Sequence, residues 1–436
     1  MSLNCQATKT ALIARLVRLA NNLSPADRAA LGIWLATRAA LAALTWPAAF
    51  MFATSAQSPR SWLALWQNWD ARILIDIAQH GYFASGDRIF PTQIAFFPGF
   101  PIVLASVHIL VRQWTVSGLV VSFVAGAVAV VALSRIAEGY YLAGAGRKAV
   151  LYLVVSPAAV FLAAGYSEAL FLALATTSWL ASMRSRWALA ALLAGLASVV
   201  RINGLFLCAA IAVEILRRAD RKRMRAFAAF IPALVPLACF EIYLWLNTGN
   251  WLAWQHAEEI GWQRRFTNPV DTLTATWHAA FGHEFTARVA FVFQLEIVAV
   301  AVGVAATAAL LRCRRWAEAT YVGLTVAALA TSVWYQSVPR ALLLLWPIWC
   351  GLAALATRRR WVGQLYLAVS VPISVSIALL FMSGSWAGLR STFPTCLRRH
   401  SLAGPSRPAM QGRCRRQRPA GRTGRSGRRP AVSPAM

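Results

Sequence analysis

Acidic side chains are scarce in this chain. Fifteen Asp and Glu stand against 43 Lys and Arg, and charged residues make up 13% of the sequence against 58% hydrophobic. A water-soluble domain carries roughly twice that charged share, so a soluble globular protein is excluded. The seven cysteines, Cys5, Cys208, Cys239, Cys313, Cys350, Cys396 and Cys414, form no C-x-x-C pair and are odd in number. Neither a disulfide framework nor a zinc site follows from them. No P-loop is present, and Gly144-Ala145-Gly146 follows no strand, so it is not a nucleotide fingerprint. His278 and His283 are spaced poorly for a shared metal, and no metal or other cofactor is expected. Residues 1–30 carry Lys9, Arg15, Arg18 and Arg28 and no apolar core, so no cleavable signal peptide is evident there. They are expected to form a cytoplasmic segment ahead of a retained signal-anchor at 31–53.

Long apolar runs are what the chain has in place of charge. Mean hydropathy is +0.55, and the runs reach about 20 residues, enough to cross a hydrocarbon core of roughly 30 Å. The expected fold is all-α: a polytopic membrane protein of about eleven transmembrane helices over residues 31–388. The net charge of +28 invites a nucleic-acid reading, but twelve arginines and no acids lie in residues 389–436. Without that tail the charge is +16, spread over short loops as the positive-inside rule requires, and no nucleic-acid partner is expected. Residues 389–436, rich in Arg, Pro, Gly and Ser, cannot bury enough surface to fold. They read either as a disordered basic tail or as the product of a frame error in a GC-rich gene.

The basic clusters divide the chain. Arg147-Lys148, Arg184 with Arg186, the run Arg217–Arg225, Arg312 with Arg314 and Arg315, and Arg358–Arg360 are all expected on the cytoplasmic side. The segments between them, 148–183, 187–216, 226–311 and 317–357, then become hairpins. Their tips hold Tyr166-Ser167-Glu168, Arg201-Ile202-Asn203-Gly204, the loop 248–288, and Ser337-Val338-Pro339-Arg340. Every distinctive polar motif falls at one end of the bundle. Parity requires a single crossing between 94 and 134, so 94–111, with Pro98 and Pro101 breaking a regular helix, is expected not to span.

The loop 54–93 holds Trp66, Trp69, Asp70, Arg72, Asp76, His80, Tyr82 and Asp87. On a helix, Asp76 and His80 form the nearer pair. A carboxylate among aromatic side chains suits a general base acting on a hydroxyl, and equally a sugar-binding surface or an interfacial helix with Trp and Tyr at headgroup level. Glu168, at a tip between two apolar runs, is costly unless paired or wetted and is a functional candidate on that ground. Arg201 and Asn203 share that status. Arg201 suits a phosphate, which a guanidinium meets bidentately, or a salt bridge to Glu168. With Arg340 it would make a two-arginine clamp for a lipid phosphate. In the loop 248–288, Glu258 and Glu259 point to different faces.

The motifs, taken in order, resemble a known family. They are Trp69-Asp70, Ile77-Ala78-Gln79-His80-Gly81-Tyr82, Ala95-Phe96-Phe97-Pro98-Gly99-Phe100-Pro101, Ser156-Pro157, Phe161, Tyr166-Ser167-Glu168-Ala169-Leu170-Phe171, Arg201-Ile202-Asn203-Gly204, Gly249 through His256, Trp262, and Ser337-Val338-Pro339-Arg340. The chain resembles the GPI mannosyltransferase II (PIG-V) family and its bacterial relatives, within the GT-C superfamily of membrane glycosyltransferases. The resemblance implies an inverting transfer of mannose from a polyprenyl-phosphate-mannose donor to a hydroxyl of a lipid, glycan or protein acceptor, on the non-cytoplasmic side of the membrane. It implies Asp70 as catalytic base and a non-spanning helix in the first outer loop. Trp69, His80, Tyr82, Glu168, Arg201, Asn203 and Arg340 are then expected to bind substrate. The rival class is a transporter or flippase of a lipid-linked sugar, which would need polar groups across the whole bilayer and often internal repeats. The acids here gather at one end.

Overall fold

The computed structural model describes residues 23–52, 61–83, 92–140, 144–218 and 223–384. The N-terminal segment up to residue 22, Asp87 and the basic tail lie outside the described residues. Every regular element among the described residues is helical. In chain order these are α1 (Pro25–Met51), α2 (Asp70–His80), α3 (Gly99–Val111), α4 (Trp114–Tyr140), α5 (Ala145–Val154), α6 (Ser167–Met183), α7 (Trp187–Ser198), α8 (Asn203–Arg218) and α9 (Arg223–Ala228). They continue with α10 (Phe230–Thr248), α11 (Ala253–Trp262), α12 (Pro269–Phe281), α13 (Ala287–Arg312), α14 (Trp316–Ala330), α15 (Val338–Leu342), α16 (Trp346–Arg358) and α17 (Arg360–Met382).

Five of them, α1, α4, α10, α13 and α17, are long and apolar enough to cross a membrane. The other helices are shorter, and the expected hairpins 148–183, 187–216 and 317–357 are interrupted near their tips. The α7–α8 hairpin breaks at Val199–Ile202, leaving 12 and 16 residues on either side. At about 1.5 Å per residue, neither arm reaches 30 Å.

Local chemistry fixes the helix starts. Ser24 and Asp27 cap α1 reciprocally: the Asp27 N–H donates to Ser24 Oγ at 3.1 Å, and the Ser24 N–H donates to Asp27 Oδ2 at 3.0 Å. Arg135, near the end of α4, adds two bonds to the same carboxylate at 3.0 and 2.8 Å. The start of α1 is thereby tied to the end of α4, along which α1 packs. The centre of the bundle is α4 against α6, α6 against α7, and α8 against α14. The buried face of α4 carries Ser117, Gly118, Ser122, Ala125, Gly126 and Ala129. Small residues let helices approach closely where lipid, not water, surrounds them.

The prolines of the 94–111 segment act differently from the expectation. Pro98 immediately precedes α3 and Pro101 lies in its first turn, where a missing N–H costs nothing. They start a helix rather than break one. With 13 residues α3 is about 20 Å long, short of the hydrocarbon thickness. Its first N–H, from Gly99, donates to Val199 O at 2.7 Å. A Cβ on Gly99 would stand 2.7 Å from that same oxygen, so only glycine lets α3 dock on the α7–α8 break.

The basic helix ends meet at the far end of the bundle from the tips. Lys148 Nζ donates to Thr357 Oγ1 at 3.0 Å, and the Arg315 guanidinium lies 4.0 Å from the centre of the Tyr140 ring. Loops distant in sequence therefore share an end, as alternating helix directions require.

Candidate active site

Asp70 opens α2, and the residue before it is held in an unusual backbone conformation. Trp69 has φ +47° and ψ −110°, outside the regions an L-residue prefers; such strain costs on the order of 1–3 kcal/mol. Neighbours hold it. The Trp69 ring meets Phe381 of α17 edge-on at 5.5 Å. Asn68 Nδ2 donates to Leu65 O at 2.9 Å and to Phe381 O at 2.7 Å. The Tyr166 hydroxyl donates to Asn68 O at 2.8 Å. The chain enters α2 with the Asp70 carboxylate facing the hairpin tips.

Four charged side chains from four segments meet there. Arg340 Nη1 donates to Asp70 Oδ2 at 2.5 Å. Its Nε donates to Glu168 Oε1, which also accepts from Arg201 Nη1 at 2.9 Å. Arg201 Nη1 donates to Ser167 Oγ as well, at 2.9 Å. The guanidinium of Arg340 lies 4.7 and 5.0 Å from the ring centres of Tyr166 and Phe161, within cation–π range. Glu168 is fully buried, and its Oε2 and the Arg201 Nε have no hydrogen-bond partner. Two carboxylates and two guanidiniums balance in charge, which is what makes burial tolerable. Gly204 permits the tight turn that presents Arg201: a Cβ there would stand 2.1 Å from Ser198 N.

The cluster borders a cavity of about 360 Å³. Asp70, Ser167, Arg201, Asn203 and Arg340 line it, with Phe96 and Phe97 ahead of α3, Thr325 on α14, and the loop 262–266. Asn203 Nδ2 reaches Thr325 Oγ1 at 3.4 Å. The α11 helix supplies one wall through Trp254, Glu258 and Trp262, which recur every fourth residue. Glu258 accepts from Arg264 Nη1 at 3.4 Å, while Glu259 is exposed. Burial pushes the Glu258 carboxyl up from its ordinary range, opposed by Arg264 and Arg201.

The structure thus gathers Asp70, Glu168, Arg201, Asn203 and Arg340, with Trp69 behind Asp70. Both readings of Arg201 meet in one place: it pairs with Glu168 and still borders the cavity. Two expected substrate binders are elsewhere. His80 is exposed and bonds Asp76 at 3.0 Å, one helical turn back along α2 from the far end. Tyr82 is buried against Phe240 and Tyr243, and its hydroxyl donates to Phe96 O at 2.7 Å. Burial raises that phenol well above its ordinary pKa. Neither lines the cavity, because α2 runs away from Asp70 and carries its last turn out of reach. Glu258 and Arg264 were missed as cavity residues. The one signal for Glu258 was the Trp254, Glu258, Trp262 spacing, which places all three on one helical face; Arg264, beyond the end of that helix, had none.

An all-helical bundle with apolar helices of spanning length and a charged, aromatic-walled cavity defines an integral membrane protein with a candidate site among its helix ends. The model of the mannosyltransferase (PIG-V) family matches residues 33–246 of this chain. GPI alpha-1,6-mannosyltransferase 2 of Cricetulus griseus is 37% identical over 150 residues, 31% of this chain and 29% of the relative. The Homo sapiens protein of the same name is 36% identical over 157 residues, 32% of this chain and 29% of the relative. The match therefore spans less than a third of the length of these relatives. Among solved structures, ArnT from Cupriavidus metallidurans bound to undecaprenyl phosphate is similar with a TM-score of 0.45 and 14% identity, over 81% of this chain and 76% of that one. Archaeal oligosaccharyltransferase AglB from Archaeoglobus fulgidus, in complex with an inhibitory peptide and a dolichol-phosphate, has a TM-score of 0.37 and 10% identity, over 84% of this chain and 59% of that one.

Proposed function

We propose that this protein is a membrane mannosyltransferase that moves mannose from a polyprenyl-phosphate-mannose donor to a hydroxyl acceptor on the non-cytoplasmic side, with inversion. The observation that carries the reading is the convergence of Asp70, Glu168, Arg201 and Arg340 at one end of the cavity. The family match and the names of the relatives support it. The positive-inside rule supports a non-cytoplasmic cavity end, since the Arg-rich loops lie at the other end.

In this reading the donor phosphate lies against Arg340 and Arg201, and Arg340 turns from Asp70 toward it. The acceptor hydroxyl gives its proton to the freed Asp70 carboxylate. Its oxygen forms a bond to the anomeric carbon as the bond from that carbon to the phosphate oxygen breaks. The lipid phosphate leaves with one more negative charge, and the proton on Asp70 offsets it, so the site's total charge is unchanged. Guanidiniums facing the oxygen where charge develops then lower the barrier. The aromatic wall of Phe96, Trp254 and Trp262 suits pyranose faces.

The test is to incubate membranes containing the protein with radiolabelled polyprenyl-phosphate-mannose and follow the label. Label passing to a lipid, glycan or protein acceptor is expected. Label that crosses the bilayer still attached to polyprenyl phosphate, with no acceptor labelled, overturns the reading in favour of transport.

A further inference from the structure

We infer that Glu296 is a positioning residue for Arg340: its carboxylate holds the backbone of the 337–338 turn so that the guanidinium two residues on is presented to the cavity. The inference rests on the proposed transferase reading and extends it to a residue outside the site.

Glu296 lies within α13 and is 3% exposed. A carboxylate in a long apolar helix is costly and is ordinarily offset by a cation. Here its hydrogen-bond partners are backbone groups instead. Oε1 accepts the Ser337 N–H at 2.8 Å and Oε2 accepts the Val338 N–H at 2.7 Å. Ser337 has φ +61°, a left-handed conformation that a serine does not adopt without support. Val338 opens α15, which has only five residues, too few to sustain themselves as a helix. Arg340 is the third of those five. Charge-assisted bonds from both carboxylate oxygens to successive N–H groups are strong and directional. They fix the turn at the point from which the Arg340 side chain departs. The approach to the turn is also held, by the Tyr335 N–H donating to Thr276 Oγ1 at 2.9 Å and by Thr272 Oγ1 donating to Ser332 O at 2.5 Å. Among the described residues, the side-chain bonds to the Ser337 and Val338 N–H groups come from Glu296. Glu296 does not line the cavity, so its action on substrate passes through Arg340.

The experiment is a double-mutant cycle on the full chain in membranes, reading kcat and donor KM with radiolabelled polyprenyl-phosphate-mannose for wild type, Glu296→Gln, Arg340→Lys and the double variant. Glutamine keeps one acceptor oxygen but sets an NH2 against the second N–H. Alone it is expected to lower kcat/KM by on the order of 10-fold, the scale of coupling between groups that act as a unit. In the Arg340→Lys background the same change is expected to cost less than about 3-fold, because the group it positions is already altered. Equal losses in both backgrounds overturn the inference, since a purely structural role multiplies independently of Arg340. If Glu296→Gln does not accumulate in membranes, Glu296→Asp, which keeps the charge and withdraws it by one methylene, takes its place in the same cycle with the same two outcomes. Failure of wild type to transfer mannose tells against the transferase reading; transfer by wild type with an additive cycle tells against the role of Glu296 alone.

Discussion

Arg340 Nη1 and Asp70 Oδ2 are 2.5 Å apart although 270 positions separate them in the chain. The contact joins the first loop after α1 to the last of the hairpin tips, and Glu168 completes it from the opposite side of the same guanidinium. In the resting pair the Arg340 guanidinium occupies Asp70 Oδ2, and an incoming phosphate is the group that draws an arginine away and opens that oxygen to an acceptor hydroxyl. Under the proposed mechanism, the resting pair keeps the site charge-balanced and donor binding arms it.

Glu168→Gln tests the balance. The substitution leaves Arg340 paired with Asp70 alone and Arg201 without its bonded carboxylate. Removing one partner of a buried ion pair costs about 3–5 kcal/mol, so thermal unfolding in detergent should occur at clearly lower temperature and transfer should be lost. An unchanged melting temperature would show that the pairs are not buried as described.

Gly204→Ala tests the tip geometry. The added methyl would fall 2.1 Å from Ser198 N and 2.3 Å from its Cα, and backbone cannot yield as a side chain can. Overpacking of this kind costs about 1–3 kcal/mol, and the displaced Arg201 should lower transfer as well. Gly351→Ala is the comparison, because nothing lies within 4 Å of its Cβ position. It should be neutral or slightly stabilising in the same unfolding measurement.

His80→Ala and Tyr82→Phe separate the cavity from the rest of the first loop. His80→Ala should leave transfer near the wild-type rate. Tyr82→Phe removes one buried hydrogen bond, to Phe96 O, and should cost about 1 kcal/mol of stability while donor binding stays unchanged. Donor binding weakened about tenfold or more in either variant, on the order of 1.4 kcal/mol, would return these residues to the binding site.

Much of this arrangement was legible in the sequence because it follows from charge and span length. The basic clusters fixed which loops share an end, and the acids and the paired arginines at the tips then had to meet. What was not legible depends on direction within short elements. The α2 helix begins at Asp70, so its first residue meets the tips while His80, at its last position, points to solvent. Pro98 and Pro101 read as breakers, yet they lie where a helix starts. Glu258 was hidden because the loop 248–288 gave no sign that α11 would turn one face toward Asp70. Glu296 was hidden because its partners are backbone N–H groups, which leave no trace in sequence.

Arg265→Cys and Arg218→Cys, each in a cysteine-free chain, test the membrane orientation. Arg265 lies in the cavity loop and Arg218 ends α8 at the basic end. A membrane-impermeant maleimide should label position 265 in intact cells and position 218 only after permeabilisation. Labelling of both from one side would contradict the placement of the two ends.

The most direct test of the central claim is the transfer rate of purified Asp70→Asn. Asparagine keeps the size and the carbonyl contact to Arg340 but cannot take the acceptor proton, and Glu168 still holds Arg340 in place. General-base help is worth about 10²–10⁴-fold, so the variant should insert in membranes, bind polyprenyl-phosphate-mannose, and transfer mannose at about a hundredth of the wild-type rate or less. Asp76→Asn, altering an exposed carboxylate that faces His80, should stay close to wild type in the same assay. An Asp70→Asn protein that transfers mannose at more than about a tenth of the wild-type rate, above what loss of a general base allows, would contradict Asp70 as the base.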